Sequence, residues 1–171
     1  MGCTASAPAD PNAEVPVPPA LQPFLDQMAT ATTVTMSGQA INTENARISI
    51  ARALKRNSRN LMELNLSNCQ LHPRGVVMLS KALETDIPLT KLVLSNNCIG
   101  AWPQDDGYGG TSMSNITKMG TEALSNALKL NKNLTYLDLS ANHLDLAFHN
   151  ARRQEIWDIA RARTPPLQLM L

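Results

Sequence analysis

The sequence predicts an α/β solenoid, a stack of similar strand-then-helix units, on three observations. A leucine motif recurs at a fixed period, apolar residues alternate within each copy as in a strand, and a further apolar set then follows at helical spacing. The motif is Leu61-Met-Glu-Leu64-Asn-Leu66-Ser-Asn-Cys69-Gln-Leu71. It returns as Leu89-Thr-Lys-Leu92-Val-Leu94-Ser-Asn-Asn97-Cys-Ile99 and as Leu134-Thr-Tyr-Leu137-Asp-Leu139-Ser-Ala-Asn142-His-Leu144. Leu61 and Leu89 are 28 residues apart, room for one strand and one full helix per unit. Hydrophobic residues make up 43% of the chain but aromatics only 4%, so the core has to be built from aliphatic layers.

In chain order, the first element is a Pro-rich N-terminal arm over residues 1–30. Pro8, Pro11, Pro16, Pro18, Pro19 and Pro23 resist helix, which predicts an extended, semi-rigid tether from Gly2 to about Pro23. A short helical turn from Phe24 to Thr30 is expected to cap the first repeat. The repeats are expected over 31–145 and number about four, because a weaker copy runs through Val34, Met36, Gln39 and Ile41. Helical segments follow the strands, marked by Ile50 and Leu54, by Gly75, Leu79 and Leu83, and by Gly120, Leu124 and Leu128. A spacing of four places each leucine pair on one helix face.

The third unit is too long, since Leu89 to Leu134 spans 45 residues. An insertion over about 101–118 is therefore expected, a Gly- and Ser-rich excursion at the strand-to-helix edge. Residues 146–171 form the expected C-terminal cap and tail. Phe148, Ile156, Trp157 and Ile159 keep helix-compatible spacing, Pro165-Pro166 ends the helix, and the apolar Leu167–Leu171 segment folds back on the solenoid.

All three full copies fit L-x-x-L-x-L-x-x-(N/C)-x-L, and with a 28-residue unit the chain resembles leucine-rich-repeat proteins of the ribonuclease-inhibitor-like subfamily. That resemblance implies a short leucine-rich-repeat solenoid with a curved parallel sheet on the concave face and helices on the convex face. It also implies protein binding through exposed strand positions on the concave side.

Alternation assigns those positions. Leu64 and Leu66 point inward with period two, so Glu63 and Asn65 point outward, and so do their equivalents Lys91, Val93, Tyr136 and Asp138. These six are the candidate partner-binding residues, with Trp102 and Tyr108 of the insertion as aromatic anchors. Cys69, Asn97 and Asn142 hold a structural ladder position, where a buried side chain satisfies backbone groups as the chain turns out of the strand. Cys69 has no basic neighbour in the sequence to activate it and reads as a small buried side chain.

The amino terminus, Met1-Gly2-Cys3-Thr4-Ala5-Ser6, matches the N-myristoylation pattern M-G-x-x-x-S/T, with Gly2 as the acyl acceptor and Cys3 beside it as a palmitoylation site. A single acyl chain anchors only marginally, so the second is needed for stable attachment. The odd count of three cysteines and the lack of an apolar leader segment favour the cytoplasmic side, at the plasma or a flagellar or ciliary membrane.

Other function classes find little support. A net charge of +1 argues against nucleic acid. Clusters such as Arg47, Arg52, Lys55, Arg56 and Arg59, or Arg152, Arg153, Arg161 and Arg163, read as solvated helix faces, with an anionic partner as the alternative. His72, His143 and His149 join no catalytic or zinc spacing, Asp105 and Asp106 lack the rest of a calcium loop, and Gly107–Gly110 lacks the Lys-Ser/Thr of a phosphate loop. No catalytic residue, metal or cofactor is expected. The expected function is a protein-binding, membrane-tethered adaptor; a structural component of a cytoskeletal or axonemal assembly is the alternative, and a GTPase-regulating scaffold ranks third.

Overall fold

The computed structural model describes residues 15–56, 59–100, 110–144 and 150–171. A 3-10 turn at Pro19–Leu21 leads into α1 (Gln22–Thr30). Strands and helices then alternate: β1 (Thr33–Thr35), α2 (Glu44–Arg56), β2 (Glu63–Asn65), α3 (His72–Leu83), β3 (Lys91–Val93), α4 (Gly110–Leu130), β4 (Tyr136–Asp138), α5 (Asn150–Ala162) and β5 (Gln168–Met170). The strands pair in parallel in the order β1-β2-β3-β4-β5. Each of the helices α2–α5 is thus a crossover between neighbouring parallel strands.

Register follows the leucines. Val34, Leu64, Leu92, Leu137 and Leu169 are aligned across the sheet, and all are buried. Met36, Leu66, Leu94 and Leu139 form the next buried row, and helix residues Ile50, Leu54, Leu79, Leu83, Leu124 and Leu128 close the core from the other side. A strand occupies about 4.8 Å of the stack whereas a helix needs about 10 Å, so the helical layer is the wider one and the sheet takes the concave side.

Local chemistry starts and stops the helices. Thr43 Oγ1 accepts from Ala46 N at 3.2 Å and so caps α2, which has Glu44 in its first turn and Lys55 and Arg56 in its last. Pro23 and Pro73 sit in the first turns of α1 and α3, where the missing N–H would have had no helical partner anyway.

Three expectations are corrected. The tether does not reach Pro23: Pro19–Leu21 is already a helical turn and Pro23 lies in α1, because proline at a helix start is compatible with the helix. Leu21 is buried with Leu25 and Met28 against the first repeat. The four repeats expected over 31–145 supply β1–β4, and the cap adds a fifth strand, where Leu167, Leu169 and the alternation around them join β4 without carrying the full motif. The expected excursion over 101–118 is helical from Gly110 onward, which makes α4 21 residues long. No proline interrupts 110–130, and adding one residue to an existing helix fixes few dihedrals per hydrogen bond gained. Finally, Arg47 is not on a solvated face. It is 7% exposed, and its Nε donates to Ile41 O at 3.2 Å. Burial lowers its pKa from the ordinary guanidinium value, with Glu44 opposing that shift.

Candidate binding surface

The side of the sheet away from the helices carries two rows of side chains, half-exposed on β2–β4 and exposed on β1 and β5. Cross-strand register places Thr33, Glu63, Lys91, Tyr136 and Gln168 in one row, and Thr35, Asn65, Val93, Asp138 and Met170 in the other. The six strand residues expected from alternation therefore lie side by side on three adjacent strands. Lys91 Nζ stands 3.4 Å from Glu63 Oε2 and 5.5 Å from the Tyr136 ring centroid. The ion pair is too solvated to contribute much stability, but with the cation–π contact it lines up three side chains in a defined order.

Asn65 and Asp138 also have local duties. Asn65 Oδ1 accepts from Ser67 N at 2.9 Å, and Asp138 Oδ1 accepts from Ser140 N at 2.9 Å and from Ser140 Oγ at 2.7 Å. Each shapes the turn that follows its strand, a common use of short polar side chains. The row end is polar as well, with Ser37 Oγ 2.8 Å from Ser67 Oγ and Asn96 Nδ2 donating to Asn68 Oδ1 at 3.1 Å.

Behind the strands runs the asparagine ladder. Asn97, fully buried, donates from Nδ2 to Leu66 O at 2.7 Å and Leu94 O at 3.0 Å, while its Oδ1 accepts from Cys69 N at 2.9 Å and Leu71 N at 3.2 Å. Asn142 repeats this one unit on: Nδ2 donates to Leu94 O at 2.8 Å and Leu139 O at 2.9 Å, and Oδ1 accepts from Asn97 N at 2.7 Å. Residues flanking the ladder adopt positive φ: Asn68 and Gln70, Asn96 and Cys98, Ala141 and His143, all between 53° and 56°. Those left-handed residues turn the amides of the ladder toward the asparagine, so one side chain ties together two repeats.

Cys69 holds the same position with a thiol. It is fully buried, and Sγ donates to Met36 O at 3.1 Å. Burial pushes the thiol pKa up from 9.0 to about 11, against a smaller opposing effect from the Gln39 and Gly38 backbone. That is the reverse of what a nucleophile needs.

Some structural residues escaped the reading of the sequence. Asn131 Nδ2 donates to Leu83 O at 3.0 Å, and its Oδ1 accepts from Leu134 N at 2.9 Å, joining the end of α3 to the start of the next unit. One unit later Arg163 does the equivalent work, donating to Leu128 O at 3.5 Å and Leu134 O at 2.7 Å. Burial lowers the Arg163 pKa. Thr33, Thr35, Gln168 and Met170 extend the exposed rows onto both outer strands. Alternation around Leu167, Leu169 and Leu171 was the available signal for the last strand.

Gly2, Cys3, Trp102, Tyr108 and Phe148 lie outside the described residues. Among the described residues, no group of three or more His, Cys, Asp or Glu is placed to hold a metal ion, and no helix is long and apolar enough to cross a membrane.

Comparison with known proteins agrees with this geometry. The family profile described as Leucine Rich repeat matches residues 57–80 and 130–150, which include the first and third full copies of the motif. No curated protein matches the chain. Among solved structures, the one titled Leiomodin-1 Actin-Binding Site 2 (ABS2) shares the fold with a TM-score of 0.59 and 16% identity, covering 90% of this chain and 79% of that chain. The chain has an α/β solenoid fold, and two of its stretches match the leucine-rich-repeat profile.

Proposed function

We propose that this protein is a non-enzymatic platform that binds another protein through its concave sheet, as members of the ribonuclease-inhibitor-like subfamily do, and that acyl chains on Gly2 and Cys3 tether it to the cytoplasmic side of a membrane. The observation that carries the binding reading is the pair of continuous side-chain rows on β1–β5, with Glu63, Lys91 and Tyr136 already aligned before any partner arrives. Such alignment lowers the ordering cost of association. The tether rests on the Met-Gly-Cys start and the proline-rich arm.

A second reading is a structural component of a cytoskeletal assembly. What favours it is that an actin-binding site of leiomodin is built on the same fold.

Two measurements separate these readings. Intact mass of the protein from its native cells should rise by one myristoyl and one palmitoyl group, and Gly2→Ala should move it from the membrane to the soluble fraction. An unmodified amino terminus on a protein that sediments with actin filaments would favour the cytoskeletal reading instead.

A further inference from the structure

Two clefts on the helical side share a basic rim. Between α2 and α3, a cleft of about 200 Å³ has Ile48, Ala51, Met78 and Ala82 on its walls, with Lys55 and Lys81 beside them. Between α1 and α2, a cleft of about 370 Å³ is lined by Val15, Val17, Leu25 and Arg56, and Arg52 borders both. Among the described residues lining the two clefts, the one carboxylate is Asp26, which accepts from Gln22 Nε2 at 2.8 Å. Lys55, Arg56, Arg59 and Lys81 are all exposed.

Val15 lies in the α1–α2 cleft beside the arginines, so the arm that carries the candidate acyl sites joins the solenoid there. The stretch from Cys3 to Val15 reaches at most about 40 Å when fully extended.

We infer that the α1–α3 face lies against an anionic membrane surface. Apolar clefts rimmed by long cationic side chains suit the headgroup boundary, where methylene stems bury while the charged ends meet phosphates and carboxylates. The inference rests on the tethered reading for its anchor and adds to the acyl chains a basic patch that holds one face of the solenoid against the headgroups. It also fixes an orientation: with the helices on the bilayer, the concave sheet faces away from it and stays open to a protein partner.

The test is binding of the full chain, with and without myristate on Gly2, to vesicles of phosphatidylcholine alone or with about one-third phosphatidylserine. Each Lys or Arg held at an anionic leaflet strengthens binding roughly fivefold, so Lys55→Gln, Arg56→Gln and Lys81→Gln together should weaken binding to the anionic vesicles about a hundredfold. Binding to neutral vesicles through myristate should be unchanged, and so should the melting temperature. Wild-type binding to anionic vesicles by the triple variant would overturn the inference. Tighter wild-type binding to polyglutamate than to phosphatidylserine vesicles would also overturn it and assign the face to an acidic protein. The unacylated chain separates this inference from the tether, because its preference for anionic over neutral vesicles does not depend on whether Gly2 is modified in cells.

Discussion

At the scale of single residues, the ladder does more for the fold than the exposed rows do. Asn97 satisfies four backbone groups of two repeats from a fully buried site. Asn97→Ala would leave those groups without partners, so it should lower stability by about 3 kcal/mol in chemical denaturation, against less than about 1 kcal/mol for Lys91→Ala. Cys69 yields a pH prediction. Its thiol titrates near 9.0 when unfolded and at about 11 when folded, so between those values the folded state keeps a proton that the unfolded state has lost. Stability is intact below pH 9 and falls as pH rises toward 11, by up to about 2 kcal/mol, and Cys69→Ala should flatten that part of the profile. The ladder positions were legible because Asn97 and Asn142 recur in register with leucines. Asn131 and Arg163 were not, because the carbonyls they donate to lie 29 to 48 residues away and only the stacked fold brings them close.

At the scale of elements, the strands were the most legible because each exposes an alternation that a buried face demands. The final strand was read only as an apolar tail that folds back: it has the inward leucines, but Pro166 stands where the motif has its first leucine. Helix α4 was under-read because glycine and serine at its start suggested a loop, whereas the helix continues back to Gly110. Element contacts also explain a glycine that no local pattern marks. A Cβ on Gly100 would stand 2.5 Å from His143 O and 2.9 Å from Asn142 O, both backbone atoms of the next repeat. Gly100→Ala should therefore push β3 and β4 apart where their turns meet and lower the melting temperature by roughly 5 °C or more, as seen by calorimetry. Arg163→Ala should cost about 1–2 kcal/mol by leaving the Leu134 carbonyl at the C-terminal end unsatisfied, with Arg163→Lys recovering part of it.

At the scale of the whole molecule, one core runs from Leu21 in the N-terminal cap to Leu169 in the last strand, so the solenoid should unfold as a unit. Leu94→Asp, a charge placed in that core, should abolish the cooperative transition altogether. The same stacking that makes the core continuous makes the exposed rows continuous, and this couples fold to function. The fold class and the six strand positions could be read from the sequence because repetition multiplies a weak local signal. The partner could not, since surface side chains answer to a second molecule and not to this chain's own packing.

The most direct test of the concave sheet as the binding face is photo-crosslinking in the native cells, with the reactive side chain placed at Val93 or, on the helical side, at the exposed Asn126. A discrete covalent adduct from position 93, lost when Lys91→Ala and Tyr136→Ala are added to a protein that still melts normally, is the predicted result. An adduct from position 126 with none from position 93 would contradict the account and move the interface to the helices.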